Sequence, residues 1–169
     1  MGDDTWTRYQ LRRKLFAIGE DFWVQNDRGE AVFRVDGKVL RIRKTFVLED
    51  PEGRELAKVD GKLVAVRPTM RIEREGRTGA TVKKALFSAL HQRYTIELED
   101  GPDLEASGDV LDHEYEIRAG DRLVATISNA WFTLRDAYGV AIAPDQDPVL
   151  LLAAAVAIDE LSDRDHHDR

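Results

Sequence analysis

Basic residues grouped closely in sequence are the first candidates for chemistry in this chain. The groups are Arg12, Arg13 and Lys14; Arg41, Arg43 and Lys44; and Lys83 and Lys84. Alternation along a strand would place Arg41 and Arg43 on one face together. Guanidinium groups suit bidentate contact with phosphate, and adjacent strands can assemble several cations into one patch. The sequence therefore predicts a site for an anionic headgroup or another anionic partner, formed by Arg41, Arg43, Lys44, Lys83 and Lys84. The alternative is that these charges only keep the surface soluble.

Histidine and carboxylate side chains are the candidates for metal chemistry. His113 lies in the run DHEY, where a neutral histidine in a turn or strand is the expected role and a metal ligand is the alternative. Carboxylates that would suit Ca²⁺ flank the apolar run near the C-terminus: Asp145, Asp147, Asp159, Glu160, Asp163, Asp165 and Asp168. Their spacing does not match an EF-hand loop, and a helix-capping role explains Asp147 better. We predict no metal site and no cofactor.

The sequence contains none of the common catalytic signatures. Zero cysteines exclude a cysteine nucleophile, a thiolate zinc site and a disulfide scaffold. There is no Walker phosphate loop, dinucleotide-binding glycine fingerprint, HExxH helix or GxSxG elbow, and the run SGD at 107–109 is typical of a turn. We therefore predict no catalytic residues and no enzymatic activity.

Length and composition indicate one folded domain. The 169 residues are 43% hydrophobic and 34% charged, which is typical of a globular chain of this size. We place the domain at 9–161, between a flexible N-terminus at 1–8 and a polar tail at 162–169.

The charge distribution bears on partners and location. The net charge is −7. The chain up to Lys84 contains 19 basic and 14 acidic residues, whereas the part after Lys84 contains 6 basic and 18 acidic residues. The overall acidity and the scarcity of aromatic residues among the basic ones argue against a nucleic acid partner. The N-terminus is acidic and does not resemble a signal peptide, so we expect a cytoplasmic protein, with peripheral membrane attachment as an option.

Short alternating apolar runs separated by turn residues indicate antiparallel hairpins. The turn signals lie at 26–29, 36–37, 50–53, 60–61, 75–76, 100–102, 119–121 and 136–139. The runs between them predict about a dozen strands, starting at 22–25 and ending at 133–135, with separate strands at 39–42 and 63–66. A weak repeat supports this pattern, since VQNDRGEAVFRVDGK at 24–38 is echoed by LEDPEGRELAKVDGK at 48–62. We interpret each copy as a hairpin closed by its Asp-Gly pair.

The C-terminal region has a different pattern, which predicts a helix. Asp147 and Pro148 suit an N-cap and a first helical residue, and 149–158 is an unbroken apolar run. This run is too short to span a bilayer. Because it is apolar on every side, it must be enclosed, and only sheet is available to enclose it. We predict a mainly β fold, a closed antiparallel barrel of about twelve strands around this helix. The predicted central core is Val149, Leu150, Leu151, Leu152, Val156 and Ile158.

Aromatic residues recur where strands begin or end. These residues are Phe22, Trp23, Trp131, Phe132 and Tyr138. Aromatic side chains in such positions usually fill barrel ends or pack across strands. We therefore predict that they belong to the core.

Several longer stretches together resemble the LURP-one-related family, in its bacterial branch. They are KLFAIGEDFWV (14–24), VFRVDGKVLRIRKTFVLED (32–50), ATVKKALF (80–87), DHEYEI (112–117) and WFTLRDAYGVAI through LLLAAAVAID (131–159). This family lies within the Tubby C-terminal-like superfamily, which also includes phospholipid scramblases. The resemblance implies a twelve-stranded barrel around a central hydrophobic helix, and it implies no established reaction.

The same resemblance suggests what such a barrel does. Tubby relatives bind phosphoinositide headgroups through basic surface residues, and scramblases act on bilayers in response to calcium. We therefore expect a non-catalytic binding or scaffold protein, with phosphorylated headgroups or another anionic partner as ligand. The alternative is a protein–protein interaction module without a lipid role, and scramblase-like membrane activity is a further option.

Overall fold

The structure of the chain is a computed structural model that describes residues 6–12, 22–39, 44–61, 67–85, 92–109, 112–130 and 137–167. These residues form twelve strands and one helix. The strands are β1 (Thr7–Arg12), β2 (Phe22–Asn26), β3 (Ala31–Val39), β4 (Lys44–Glu49), β5 (Glu55–Gly61), β6 (Thr69–Arg74), β7 (Arg77–Lys84), β8 (Gln92–Leu98), β9 (Leu104–Asp109), β10 (Glu114–Ala119), β11 (Arg122–Ser128) and β12 (Ala137–Ile142). The helix, α1, spans Pro148–His167.

The strands close into an antiparallel barrel, as the sequence predicts. Each strand pairs with its neighbours in the chain, and β12 pairs with β1 from Thr7↔Ile142 to Arg12↔Ala137. Closure leaves no strand with an unpaired edge. Alternation sets the two faces of the wall: in β10, Tyr115 and Ile117 are buried toward the interior, while Glu114 and Glu116 are exposed.

The predicted helix is enclosed by the barrel. Asp147 caps it, because its Oδ1 accepts hydrogen bonds from the Val149 amide at 3.0 Å and the Leu150 amide at 3.4 Å. From Leu151 to Leu161 every side chain of α1 is at most 3% exposed, as only an enclosed helix can be. Leu150 alone of the predicted central core is partly buried, since it lies in the first turn, at the mouth of the barrel.

The helix also continues to His167, so 162–167 of the predicted tail are helical. No helix within the described parts of the chain is long and apolar enough to cross a membrane.

The antiparallel order gives the barrel two distinct ends. The turn end carries the connections β2–β3, β4–β5, β6–β7, β8–β9 and β10–β11, and the segment from β12 into α1. The far end carries the connections β1–β2, β3–β4, β5–β6, β7–β8, β9–β10 and β11–β12. Since α1 begins at the turn end, its C-terminal half lies toward the far end.

Five of the eight predicted turns are confirmed, and three are wrong. At 75–76, Glu75 and Gly76 have φ of 52° and 75°, as a two-residue type I′ hairpin requires. In contrast, 36–37 lies inside β3, 60–61 ends β5 and 137–139 lies inside β12. The first segment pairs with β4, the second with β4 and β6, and the third with β1 and β11. This pairing outweighs the local turn preference of Asp and Gly.

The repeat is structural, but its hairpins close at a different place from the one predicted. Asn26 Oδ1 accepts hydrogen bonds from the amides of Arg28 and Glu30, each at 3.0 Å. Asp50 Oδ1 accepts the equivalent bonds from Glu52 at 3.0 Å and Arg54 at 2.8 Å. The turns at 26–29 and 50–53 therefore close the two hairpins. The Asp-Gly pairs at 36–37 and 60–61 occupy equivalent strand positions instead.

Strands β1 and β12 were not predicted. All six residues of β12 are buried, so its sequence lacks the alternation that marks a half-exposed strand. The predicted strands at 63–66 and 133–135 and the residues 40–42 lie outside the described part of the chain.

Candidate functional site

Three of the basic residues predicted to bind an anion are described, and their backbones lie at one end of the barrel. Lys44 begins β4, and Lys83 and Lys84 end β7, which places all three backbones at the far end. Arg41 and Arg43 lie outside the described residues, in the connection that joins Val39 to Lys44. Strands β5 and β6 separate β4 from β7, so the two groups are about 14 Å apart across the wall. The fold therefore places the backbones of Lys44, Lys83 and Lys84 at the same end of the barrel.

The two lysines of β7 start from opposite faces of the wall. Ala80 and Val82 point inward, so alternation directs Lys84 toward the barrel mouth and Lys83 outward. Lys83 Nζ lies 2.7 Å from Glu97 Oε2 on β8 and is paired with it. An anion at Lys83 would have to compete with this carboxylate, which makes Lys83 the weaker member of the predicted site.

Further cations on the outer wall are balanced by a buried carboxylate. Asp60 is fully buried although it lies on the outward face of β5. Arg71 Nε approaches Asp60 Oδ1 at 3.4 Å, and Lys58 Nζ approaches its Oδ2 at 3.9 Å. Arg71 also pairs with Glu73 at 2.9 Å. This network holds β5 and β6 together and leaves little net charge for a ligand.

A buried polar cluster joins the C-terminal half of α1 to the barrel wall. Asp159 of α1 is 3% exposed, and its Oδ2 accepts a hydrogen bond from the Tyr138 hydroxyl at 2.5 Å. His113 Nε2 lies 3.3 Å from Asp159 Oδ1, and its ring stacks on Tyr138 with centroids 4.4 Å apart. His113 has a φ of 55°, a left-handed conformation that is uncommon for residues other than glycine and more frequent for His than for most of them.

Two further tyrosines complete this cluster. Burial raises the pKa of Tyr115 well above its ordinary value, and the charge of Asp159 adds to the rise. The pKa of Tyr94 is also raised, first by burial and then by Asp159. Both phenols are therefore neutral at physiological pH. Asp159 is thus surrounded by neutral phenols and by His113, and its hydrogen bond to Tyr138 joins the helix to the wall.

The sequence contained one signal for this cluster. Asp159 and Glu160 directly follow the apolar run of a helix that had to be enclosed, so at least one carboxylate had to find partners inside the barrel. His113 was expected to be a turn or strand histidine, and it lies in the turn before β10. His113 and Asp159 are 46 positions apart in the chain. Their contact could not be predicted from the residues adjacent in sequence to either of them.

A pair of conservative substitutions measures what the cluster contributes. Tyr138→Phe should lower the free energy of unfolding by about 2 kcal/mol, because it removes the hydrogen bond to a buried carboxylate. Tyr115→Phe is the matched control, because the Tyr115 hydroxyl is buried without a hydrogen-bond partner among the described residues. Removing this hydroxyl should leave the free energy of unfolding unchanged or raise it slightly. Urea titration followed by circular dichroism gives both values. Equal costs for the two variants would contradict this account of the cluster.

The carboxylates considered for calcium whose side chains are described lie in two separate places, whereas those of Asp163, Asp165 and Asp168 are outside the described part. Asp147 caps α1 and pairs with Arg74, and Arg122 hydrogen-bonds to Asp145 at 2.5 Å. This hydrogen bond lowers the pKa of the Asp145 carboxyl below its ordinary value. Asp159 lies about 18 Å further along the helix axis. Within the described ranges, no three His, Asp or Glu residues are placed to share a metal ion.

A cleft of about 600 Å³ opens beside the start of α1 at the turn end. Its floor includes Leu98 and Leu150, and its rim carries Arg77 together with Glu99 and Asp100. The full lining has two arginines and four carboxylates, so its net charge is negative and disfavours an anion.

One aromatic prediction is wrong. Phe22 and Tyr138 are buried in the core as predicted, at 7% and 0% exposed, whereas Trp23 is 46% exposed. Trp23 follows Phe22 in β2, so alternation turns its side chain outward. Among the described residues, Trp23 is the one large hydrophobic side chain that is exposed. Trp131 and Phe132 lie outside these residues.

The fold and the sequence both match known proteins. The X-ray structure of a protein from Arabidopsis thaliana superposes with a TM-score of 0.70 at 18% sequence identity, covering 94% of this chain and 93% of that one. The uncharacterized protein YxjI of Bacillus subtilis (strain 168) is 24% identical over 150 residues, which are 88% of this chain and 90% of YxjI. The sequence profile of the LURP-one-related family matches residues 7–159. This match covers nearly the whole barrel and the buried part of its helix, and the chain therefore belongs to the LURP-one-related family.

Proposed function

We propose that this protein is a non-catalytic binding protein whose far end recognises phosphorylated or otherwise anionic headgroups. The observation that carries the proposal is the division of charge between the two ends of the barrel. The connections at the turn end, taken by sequence, contain eleven acidic and two basic residues. Those at the far end contain seven basic and four acidic residues, and 163–169, which continue from the buried part of α1, add two basic and three acidic residues. Taken by sequence, the turn end is therefore strongly acidic and the far end weakly basic.

This polarity favours one orientation at an anionic surface. Each Lys or Arg near such a surface contributes about 1 kcal/mol, and carboxylates near it are repelled. The far end is thus attracted while the turn end is directed away. Arg41, Arg43 and Lys44 are the strongest candidates for headgroup contact, because their connection contains no carboxylate. Lys84 supports them from the barrel mouth, and Lys83 would take part only after leaving Glu97.

The interior of the barrel supports a role without catalysis. The side chains of α1 fill the axis, with Leu152, Ala154 and Ile158 each 0% exposed. A substrate pocket of the lipocalin type needs that space. The polar groups that do reach the interior are used to hold α1 through Asp159 and Tyr138. Recognition is then a property of the outer surface.

Charge reversal at the far end tests the proposal. The double variant Arg41→Glu with Arg43→Glu should weaken co-sedimentation with phosphatidylserine-containing vesicles at least tenfold, since two charges change sign and the net charge changes by four units. Arg28→Glu with Arg77→Glu is the matched control, because it makes the same charge change at exposed positions of the turn end. Binding of the unaltered protein should fall between low and physiological salt. Equal binding by the two double variants, or binding that salt does not affect, would refute the headgroup role and favour a protein partner.

A further inference from the structure

The cleft beside the start of α1 combines an apolar floor with a charged rim. Leu98, the last residue of β8, and Leu150, in the first turn of α1, line the floor and are only partly buried. Gly79 of β7 also lines the cleft and has no side chain to fill it. The volume of about 600 Å³ is typical of clefts that bind ligands in proteins. The cleft therefore offers apolar surface to a partner.

The charge that faces this cleft is mainly negative and unpaired. Arg74 and Asp147 both line it, and they form an ion pair with each other. The other charged residues of the lining are Arg77, Glu75, Glu99 and Asp100. All four are exposed, and none of them has an ion-pair partner among the described residues. Three free carboxylates therefore face one free guanidinium group.

The surroundings of the cleft add to its negative charge. The connections of the turn end contain eleven acidic residues and two basic ones, Arg28 and Arg54. Neither of these arginines lines the cleft, and Arg54 pairs with Asp50 at 3.4 Å. Because a cleft lined by one sign of charge concentrates the field of its surroundings, it attracts a cationic partner and repels an anionic one.

Arginine and lysine side chains match both parts of the cleft. Their aliphatic stems pack on apolar surface, here Leu98 and Leu150, while their charged heads stay at the rim. Guanidinium groups also bind carboxylates in a bidentate geometry, which the exposed Glu99 and Asp100 can accept. An inorganic cation would use the rim alone. A peptide segment with basic and apolar residues would use the floor as well.

We propose that this cleft docks a basic, partly apolar peptide segment of a partner protein. The inference goes beyond headgroup recognition, because it concerns the opposite end of the barrel and rests on different residues. Its two supports are the open apolar floor at Leu98 and Leu150 and the unpaired carboxylates of the rim.

The probe for the test is a hexapeptide of alternating arginine and leucine, amidated and labelled with fluorescein. Fluorescence anisotropy should show that it binds at least tenfold more tightly than the glutamate–leucine peptide, and about tenfold more tightly than the arginine–glycine peptide. Glu99→Gln with Asp100→Asn should weaken binding about fivefold, because it removes two attractive charges. Arg77→Gln should strengthen binding about twofold, since it removes the one repulsive charge that is free.

A matched control separates docking from general attraction to the acidic end. Glu52→Gln with Asp121→Asn removes the same charge from two exposed positions of the turn end that do not line the cleft. This variant should bind the arginine–leucine peptide like the unaltered protein. In isotope-labelled, unaltered protein, the peptide should shift the amide NMR signals of 75–79, 98–100 and 147–150, and this measurement requires no substitution to fold.

Several results would overturn the proposal. Equal weakening by the cleft variant and the control would mean that the peptide responds only to diffuse charge. Equal affinity for the arginine–leucine and arginine–glycine peptides would remove the role of the apolar floor, and displacement by spermidine at the same concentration would indicate a site for small polyamines. Amide shifts confined to other parts of the barrel would place the peptide elsewhere. None of these results bears on headgroup binding, which is measured with vesicles and depends on the far end.

Discussion

Replacing Leu151 with Asp should abolish cooperative folding of the barrel. Leu151 is 1% exposed on a helix that is enclosed on every side. An unpaired carboxylate there costs several kcal/mol even after relaxation, in addition to the lost apolar burial. A domain of this size has a total stability of about 5 to 15 kcal/mol. The expected result is an absent or strongly weakened thermal transition by circular dichroism.

The neighbouring residue provides a strict control for this prediction. Leu150→Asp introduces the same side chain one position earlier, where the native leucine is only partly buried. It lies in the first turn of α1, where a negative charge interacts favourably with the helix dipole. This variant should still unfold cooperatively. If Leu151→Asp melted like Leu150→Asp, the helix would not be the core of the barrel.

The fold could be predicted from the sequence because the helix left few alternatives. A ten-residue run that is apolar on all sides must be enclosed, and the remaining sequence offered only strands to enclose it. The cap at Asp147 was equally local, since it depends on residues that follow it directly. The helix and its cap could be predicted because residues adjacent in sequence determine both.

The wrong predictions concern features that are determined by residues remote in the chain. Asp36 and Gly37 look like a turn until the ladder with β4, which continues to Val39↔Lys44, is known. Strand β12 shows no alternation because both its faces are buried, and that burial comes from other parts of the chain. Trp23 was assigned to the core by residue type, whereas its position relative to Phe22 decided its face.

The candidate site was predictable only in outline. Clusters of Arg and Lys are visible in sequence, but their availability depends on partners that are remote in the chain. Lys83 illustrates this, since Glu97 lies fourteen residues away and is brought alongside by the β7–β8 hairpin. The difference in charge between the two ends is also invisible in a linear count, because the acidic connections of the turn end are interleaved along the chain with the less acidic connections of the far end. The two sets separate only when the strands run antiparallel.

Gly108→Ala should be the most damaging single-methyl change on the barrel wall. The run SGD was expected to form a turn, but Gly108 lies inside β9, opposite Tyr115 of β10 and Gln92 of β8. Its φ is 142°, and an added Cβ would lie 2.6 Å from the Glu114 carbonyl oxygen and 2.7 Å from the Tyr115 Cα. Both are backbone atoms of a paired strand and cannot move without breaking the ladder. Backbone strain and overpacking together should lower the free energy of unfolding by about 3 to 5 kcal/mol.

Two further glycines separate the causes of this loss. Gly29 has a φ of 77° with nothing within 4 Å of an added Cβ, so Gly29→Ala carries the conformational cost alone, about 1 kcal/mol. Gly79 has no positive φ and its nearest contacts are at 3.7 Å, so Gly79→Ala should be almost neutral. Urea unfolding of the three variants should therefore rank them Gly108, Gly29 and Gly79 in order of decreasing loss. If Gly108→Ala lowered the free energy of unfolding by no more than Gly29→Ala does, β9 and β10 would be able to separate at Tyr115. The wall beside the Asp159 cluster would then be far less rigid than its packing implies.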